Sequence, residues 1–322
     1  MHLSILALTA LLAMLTTSTP TKRNTQASPS SDCLTVGSNQ QYHDITSALN
    51  ALSSSSEAAC IYITAGTYKE QLTIDYPGQL TIYGETDDTT SYKRNTVTIT
   101  HTISSEEAGS LDKSATVNVL ADGFKMYNVN VENGFGEGQQ AVAVVANADK
   151  LGFYGCQFKS YQDTLYAKAG TQYYSNCRIE GAVDYIFGAA SAWFGECDII
   201  SSGAGYITAN SREESSDSSW YAIDSSTITA ASGVDITGKV YLGRPWRVLA
   251  RVIYQNSELT GIINPGGWTT MAENATPLFY EYNNTGDGAG TEDRKYESQI
   301  EGAVDRETVL GSGYLDWIDG DY

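Results

Sequence analysis

Two aspartates occupy the same place in successive repeats of this chain. Asp163 and Asp184 are 21 residues apart, and each lies seven residues after a cysteine, Cys156 or Cys177. Aligned short strands start at Asn128, Gly155, Asn176, Glu196, Ser225 and Asn256, in segments of the form Asn176-Cys-Arg-Ile. A strand unit returning every 20 to 31 residues marks a solenoid whose coils stack as parallel sheets. Equivalent residues of neighbouring coils then lie about 4.8 Å apart. Two carboxylates that close, in a sheltered site, cannot both ionise easily: one keeps its proton and the other stays charged. Stacking alone would thus make an acid and a nucleophile.

The neighbours of the pair fit that chemistry. Asp163 precedes Thr164-Leu-Tyr and Asp184 precedes Tyr185-Ile-Phe-Gly, apolar surroundings that push two carboxyl pKa values apart. Arg244, in Leu242-Gly-Arg-Pro-Trp, is biased to an extended backbone by Pro245. It reads either as a surface arginine before a turn or as a bidentate clamp on one carboxylate. Gln140 and Gln162 read either as ladder or surface glutamines or as amide donors to a developing oxyanion. Other chemistries lack their residues. There are three histidines, His2, His43 and His101, and no G-x-S-x-G segment, which argues against a Ser-His-Asp hydrolase. No His/Asp cluster has zinc-ligand spacing and no C-x-x-C pair occurs, so neither a metal nor another cofactor is expected.

Positioning these residues calls for an all-β solenoid. Charged residues make up only 18% of the chain, a balance that suits short strands and polar turns better than long charged helices. From Cys60 onward short strands alternate with Gly, Asn, Asp and Ser turns. Before them, Ile45, Leu49 and Leu52 recur at helical spacing, which predicts a short amphipathic helix capping the open end of the solenoid. The stretch Ser211–Ser219 has no apolar residue and reads as a loop leaving one coil. The Gly- and Asp-rich tail from Asn283 to Tyr322 reads as a carboxy-terminal cap with little regular structure.

Residues 3–15 form an apolar run of 13, too short to span a bilayer and of the length of a signal-peptide core. Lys22-Arg23 follows, giving a division into 1–23, signal peptide and possible short propeptide, and 24–322, one solenoid domain. A soluble, secreted, extracellular protein is expected. Cys156, Cys177 and Cys197 share one repeat position and predict a buried thiol ladder. Cys33 and Cys60 lie outside it, and a bridge between them suits an extracellular chain. Asn274-Ala-Thr and Asn283-Asn-Thr are glycosylation acceptors. The net charge of −19 makes nucleic acid and anionic membranes poor partners. It would also repel a polyanionic substrate unless the charges of that substrate were masked.

Five segments taken in order, Gly66-Thr-Tyr-Lys-Glu, Gln140-Ala-Val-Ala-Val, Gln162-Asp-Thr-Leu, Asp184-Tyr-Ile-Phe-Gly and Leu242-Gly-Arg-Pro-Trp, resemble the signature segments of pectin methylesterases. The resemblance covers roughly residues 33 to 290, with Val144 for the usual Leu and Tyr185 for the usual Phe. Asp112 stands where a family segment often carries an aromatic. The resemblance implies a right-handed parallel β-helix and an aspartyl esterase acting, as a monomer without a metal, on methyl-esterified homogalacturonan. It implies Asp184 as nucleophile, Asp163 as general acid and base, Gln140 and Gln162 as the oxyanion hole and Arg244 as the partner of Asp184. Tyr166, Phe187, Trp246 and Trp268 are implied as sugar platforms in the cleft, Phe187 being the one best suited to core packing instead. A polygalacturonase would carry Asn-Thr-Asp, Gly-His-Gly and Arg-Ile-Lys segments, which are missing. A pectate lyase, expected to need calcium, and a non-catalytic pectin-binding solenoid are the other readings.

Overall fold

The computed structural model describes residues 30–52 and 55–322. The amino-terminal segment assigned to the signal peptide and propeptide lies outside these residues. The chain winds into a parallel β-helix whose strands collect into two sheets. In the first, ten strands stack in strict chain order from Leu34–Val36 to Leu278–Tyr282. The second has thirteen and holds two strand segments from most coils. Pairing is parallel throughout the named strands, with offsets of 20 or 21 residues through the middle coils, as in Gln157↔Arg178↔Asp198.

The repeat visible in the sequence is the corner between the two sheets. Asn128, Gly155, Asn176, Glu196, Ser225, Asn256 and Asn283 all adopt left-handed backbone, with φ between 49° and 56°. Asn and Gly tolerate that conformation best, and they fill five of these seven positions. The residue after each corner turns inward, which builds the thiol ladder expected of Cys156, Cys177 and Cys197. Each thiol lies buried and donates to main-chain carbonyls, Cys177 Sγ to Ser175 O at 3.3 Å. The ladder continues as hydroxyls: Cys197 N donates to Ser226 Oγ and Ser226 N to Ser257 Oγ, both at 3.0 Å. Polar side chains thus take up amides that the turn withdraws from sheet pairing.

Inward-facing residues stack coil on coil. Phe153, Tyr174 and Phe194 form one such column, with ring centres 5.0 and 4.6 Å apart. The expected capping helix spans Ile45–Leu52 and buries Ile45 and Ala48. Its amino terminus is held by Glu70, whose carboxylate accepts from Ile45 N and Thr46 N, both at 2.9 Å. A carboxylate there complements the helix dipole, so Glu70 of the first signature segment caps a helix. The Cys33–Cys60 bridge is present, joining the first strand to the next coil.

The tail has little regular structure, as its sequence predicts, but departs from a simple end cap in its second half. Its first part does close the last coil: Thr285 pairs with Glu258 and Glu297 with Phe279, and Ser298 N donates to Phe279 O. From Ile300 onward it turns back along the outer face of the first sheet, over Tyr154, Tyr173 and Trp193. It holds a helix at Arg306–Leu310 and ends with the Tyr322 hydroxyl donating to Thr89 O. Outward aromatics on successive coils left an apolar face needing cover, so the tail serves as a strap more than as an end cap.

Candidate active site

Asp184 lies within the strand Arg178–Gly188 of the second sheet and Asp163 in the turn before Leu165–Ala169, and both have left-handed backbone, φ 66° at Asp163 and 50° at Asp184. Non-glycine residues held there cost about 1–2 kcal/mol each, and stacking between the coils enforces the conformation. Asp163 N donates to Val183 O at 3.0 Å, and beyond the turn Leu165 and Tyr166 pair with Ile186 and Phe187. The two aspartates are therefore neighbours across adjacent coils, as their spacing predicts. They are 3% and 6% exposed.

Their partners make them unlike. Arg244 donates twice to Asp184, Nε to Oδ1 at 2.8 Å and Nη2 to Oδ2 at 2.6 Å, the side-on fork that favours an ionised carboxylate. Asp163 receives one amide hydrogen bond, from Gln140 Nε2 to Oδ2 at 2.8 Å. Burial, and then the charge of Asp184, push its carboxyl up to about 8, against the opposing pulls of Gln140 and Arg244. Burial and the neighbouring charge thus favour the protonated form at Asp163.

Arg244 is itself held from several sides. Its guanidinium lies 3.9 Å from the Tyr206 ring centre. Beside it, a side chain at Gly243 would meet Thr208 Oγ1 at 2.0 Å and the Trp268 ring at 3.2 Å, so only glycine fits. Gln140 hangs from the Gly134–Gln140 loop, whose root is pinned by Asn133: its amide donates to Ile103 O, Ser114 O and Val142 O. Gln162 precedes Asp163 and forms a main-chain bridge with Val183. Its side chain has no hydrogen-bond partner among the described residues. Tyr185, where the resemblance led to Phe, is buried with its hydroxyl 3.0 Å from Ser201 Oγ, so the added polar atom is paired.

Above the aspartates is a pocket of about 60 Å³ lined by Leu111, Gln140, Asp163, Asp184, Phe187, Ala209, Trp246 and Met271. Tyr166 stacks on Phe187 with ring centres 4.3 Å apart, and Trp246 tilts against both at 6.2 and 5.8 Å. Three of the four expected platforms are therefore together. Trp268 is not among them. It is fully buried, stacked 4.2 Å from Phe279, and donates its indole N–H to Glu281 Oε1 at 3.0 Å. Phe187, best suited by sequence to the core, is 2% exposed in a buried cluster with Val142, Val145 and Ala209, and also lines the pocket.

The segment after Trp268 nevertheless serves the site. Thr269 N donates to Gly243 O and Ala272 N to Pro245 O, and Met271, 45% exposed, reaches the pocket rim. Behind it, Arg294 and Glu281 form a bidentate pair, each side chain 2% exposed. Leu111, Met271 and Tyr206 were not singled out from sequence. Tyr206 carries a legible signal only once the strands carrying it and Arg244 are known to pair.

A comparison with family models matches residues 34–320 to Pectinesterase. A relative from Aspergillus niger named "Probable pectinesterase A" is 71% identical over 301 residues, covering 94% of this chain and 92% of the relative. The crystal structure of the pectin methylesterase from Aspergillus niger superposes with a TM-score of 0.92 at 71% identity, over 92% of this chain and all of that one. Pectin methylesterase from carrot gives 0.80 at 28% identity, over 90% of this chain and 97% of the other.

Proposed function

This chain belongs to the pectinesterase family and hydrolyses pectin methyl esters, and we propose that it does so through an aspartyl acyl-enzyme. Asp184, ionised and aimed by the Arg244 fork, attacks the C6 carbonyl carbon of a methylated galacturonate. The carbonyl oxygen becomes an oxyanion. The free side-chain amide of Gln162 and the second N–H of Gln140, whose first is spent on Asp163, are the donors for it. As the intermediate collapses, Asp163 gives its proton to the departing methoxide and methanol leaves. Water then attacks the acyl-enzyme while Asp163 takes up one of its protons. The galacturonic acid formed is released and gives its proton to solvent, and both aspartates regain their starting states.

The observation that carries this reading is the asymmetry of the pair. One buried carboxyl is forked by an arginine, while its neighbour has a single amide donor and is pushed toward its protonated form by burial and by that same charge. A nucleophile and an acid are what ester cleavage with a poor leaving group requires. Tyr166, Phe187 and Trp246 serve as the apolar wall against which sugar rings pack. Secretion belongs to the same proposal, supported by the apolar run at 3–15 and by the Cys33–Cys60 bridge.

The test is methanol release from highly methylated pectin, with EDTA present, by wild type and by Asp184→Asn. Methanol from wild type alone, with no chain shortening and no unsaturated ends, is the expected result. A variant that keeps its activity would remove Asp184 from the nucleophile role.

A further inference from the structure

One ion pair stands at the border between the catalytic pocket and a second, larger hollow. Leu111 lines the pocket, while its neighbour Asp112 lines a space of about 500 Å³ on the amino-terminal side. Asp112 Oδ1 accepts from Lys168 Nζ at 2.6 Å, and the two side chains are 34% and 32% exposed. The same ammonium lies 5.4 Å from the centre of the Tyr166 ring, which stacks on Phe187 of the pocket.

The two spaces share a floor. Asn118, Val145, Tyr166, Phe187 and Ala209 form one row across the second sheet, one residue per coil. Asn118 belongs to the larger hollow, Phe187 and Ala209 to the pocket. A pyranose unit is about as long as the step between coils, about 4.8 Å. A polysaccharide lying along the row would bring the sugar beside the reacting one past Asp112 and Lys168. That sugar carries at C6 either a neutral ester or the carboxylate left by an earlier turnover.

Resting on the function proposed above, we propose that the Asp112–Lys168 pair sets the charge preference for the sugar adjacent to the reacting ester. Lys168 attracts a free carboxylate there and Asp112 repels it. Together they leave the site near neutral, so that fully esterified stretches pass. Partly exposed ion pairs hold loosely, which lets an arriving carboxylate compete for the ammonium. The hollow's other lining charges leave that balance in place. Lys113 offsets Glu107, and the Glu107 carboxylate already accepts from Ser104 N and Oγ.

The experiment measures methanol release per ester group on soluble, highly methylated and sparsely methylated pectins, at low and high salt. It compares wild type, Asp112→Asn, Lys168→Met and the double variant. Asp112→Asn should raise kcat/KM on sparsely methylated relative to highly methylated pectin by about three- to tenfold, and Lys168→Met should lower it by a similar factor. The double variant should return near wild type, and high salt should erase the differences. Single variants that move the ratio in the same direction, leave it unmoved, or keep their shift at high salt would overturn the proposal. No methanol from wild type on either pectin would refute the function itself, and the proposal with it.

Discussion

Replacing Asp163 by asparagine should abolish activity and make the protein more stable, increasingly so as pH rises. The carboxyl, ordinarily near 3.8, is held at about 8, so the folded state binds its proton more tightly than the unfolded chain does. A group raised in this way contributes its full stability below the unfolded value and loses it as pH climbs to the folded value. Between pH 4 and 8, at about 1.4 kcal/mol per pH unit, the loss comes to about 5–6 kcal/mol. Asparagine keeps an oxygen to accept from Gln140 and tolerates the left-handed backbone at this position, while removing the titration. The assay is thermal unfolding of wild type and Asp163→Asn from pH 4 to 9. The wild-type midpoint should fall by about 10 °C more than the variant's between pH 4 and 8, and then run parallel to it. Parallel curves across the whole range would refute the assignment of the proton to Asp163.

The aromatics separate by role. Trp246→Ala should raise KM while leaving the unfolding midpoint nearly unchanged, whereas Trp268→Ala should cost about 3–5 kcal/mol of stability, read by denaturant titration. Tyr206→Leu withdraws the ring beneath Arg244 and should lower kcat about five- to tenfold with KM little changed; Tyr206→Phe should restore it, and an equal loss in both variants would implicate the hydroxyl instead. If the acidic surface favours esterified polymer by repelling the product, sparsely methylated pectin should be turned over more slowly than highly methylated pectin at low salt. Faster turnover of the sparse substrate would count against that account.

The sequence by itself determined whatever repeats along one coil. The corner residues from Asn128 to Asn256, the thiols that follow them, the capping helix and the alignment of Asp163 with Asp184 are each local or periodic, so spacing exposes them. Side-chain type also limited the chemistry to carboxylates. What only the tertiary structure decided depends on neighbours across coils. Arg244, 60 residues beyond Asp184, forks that aspartate and leaves Asp163 with Gln140, which gives two similar residues unlike surroundings. The register shifts at Gly181/Val183 and Val183/Ile186 reset the alternation of inward and outward residues. The direction of Phe187, which follows directly, is therefore lost to sequence reading. Trp268 follows two glycines that suggest an exposed turn, yet Gly243 leaves a slot for its ring and the buried Glu281–Arg294 pair takes its indole N–H. The strap went unread for a related reason: its irregular backbone is ordered by the outward aromatic face of the first sheet, a surface that does not exist until the coils have stacked.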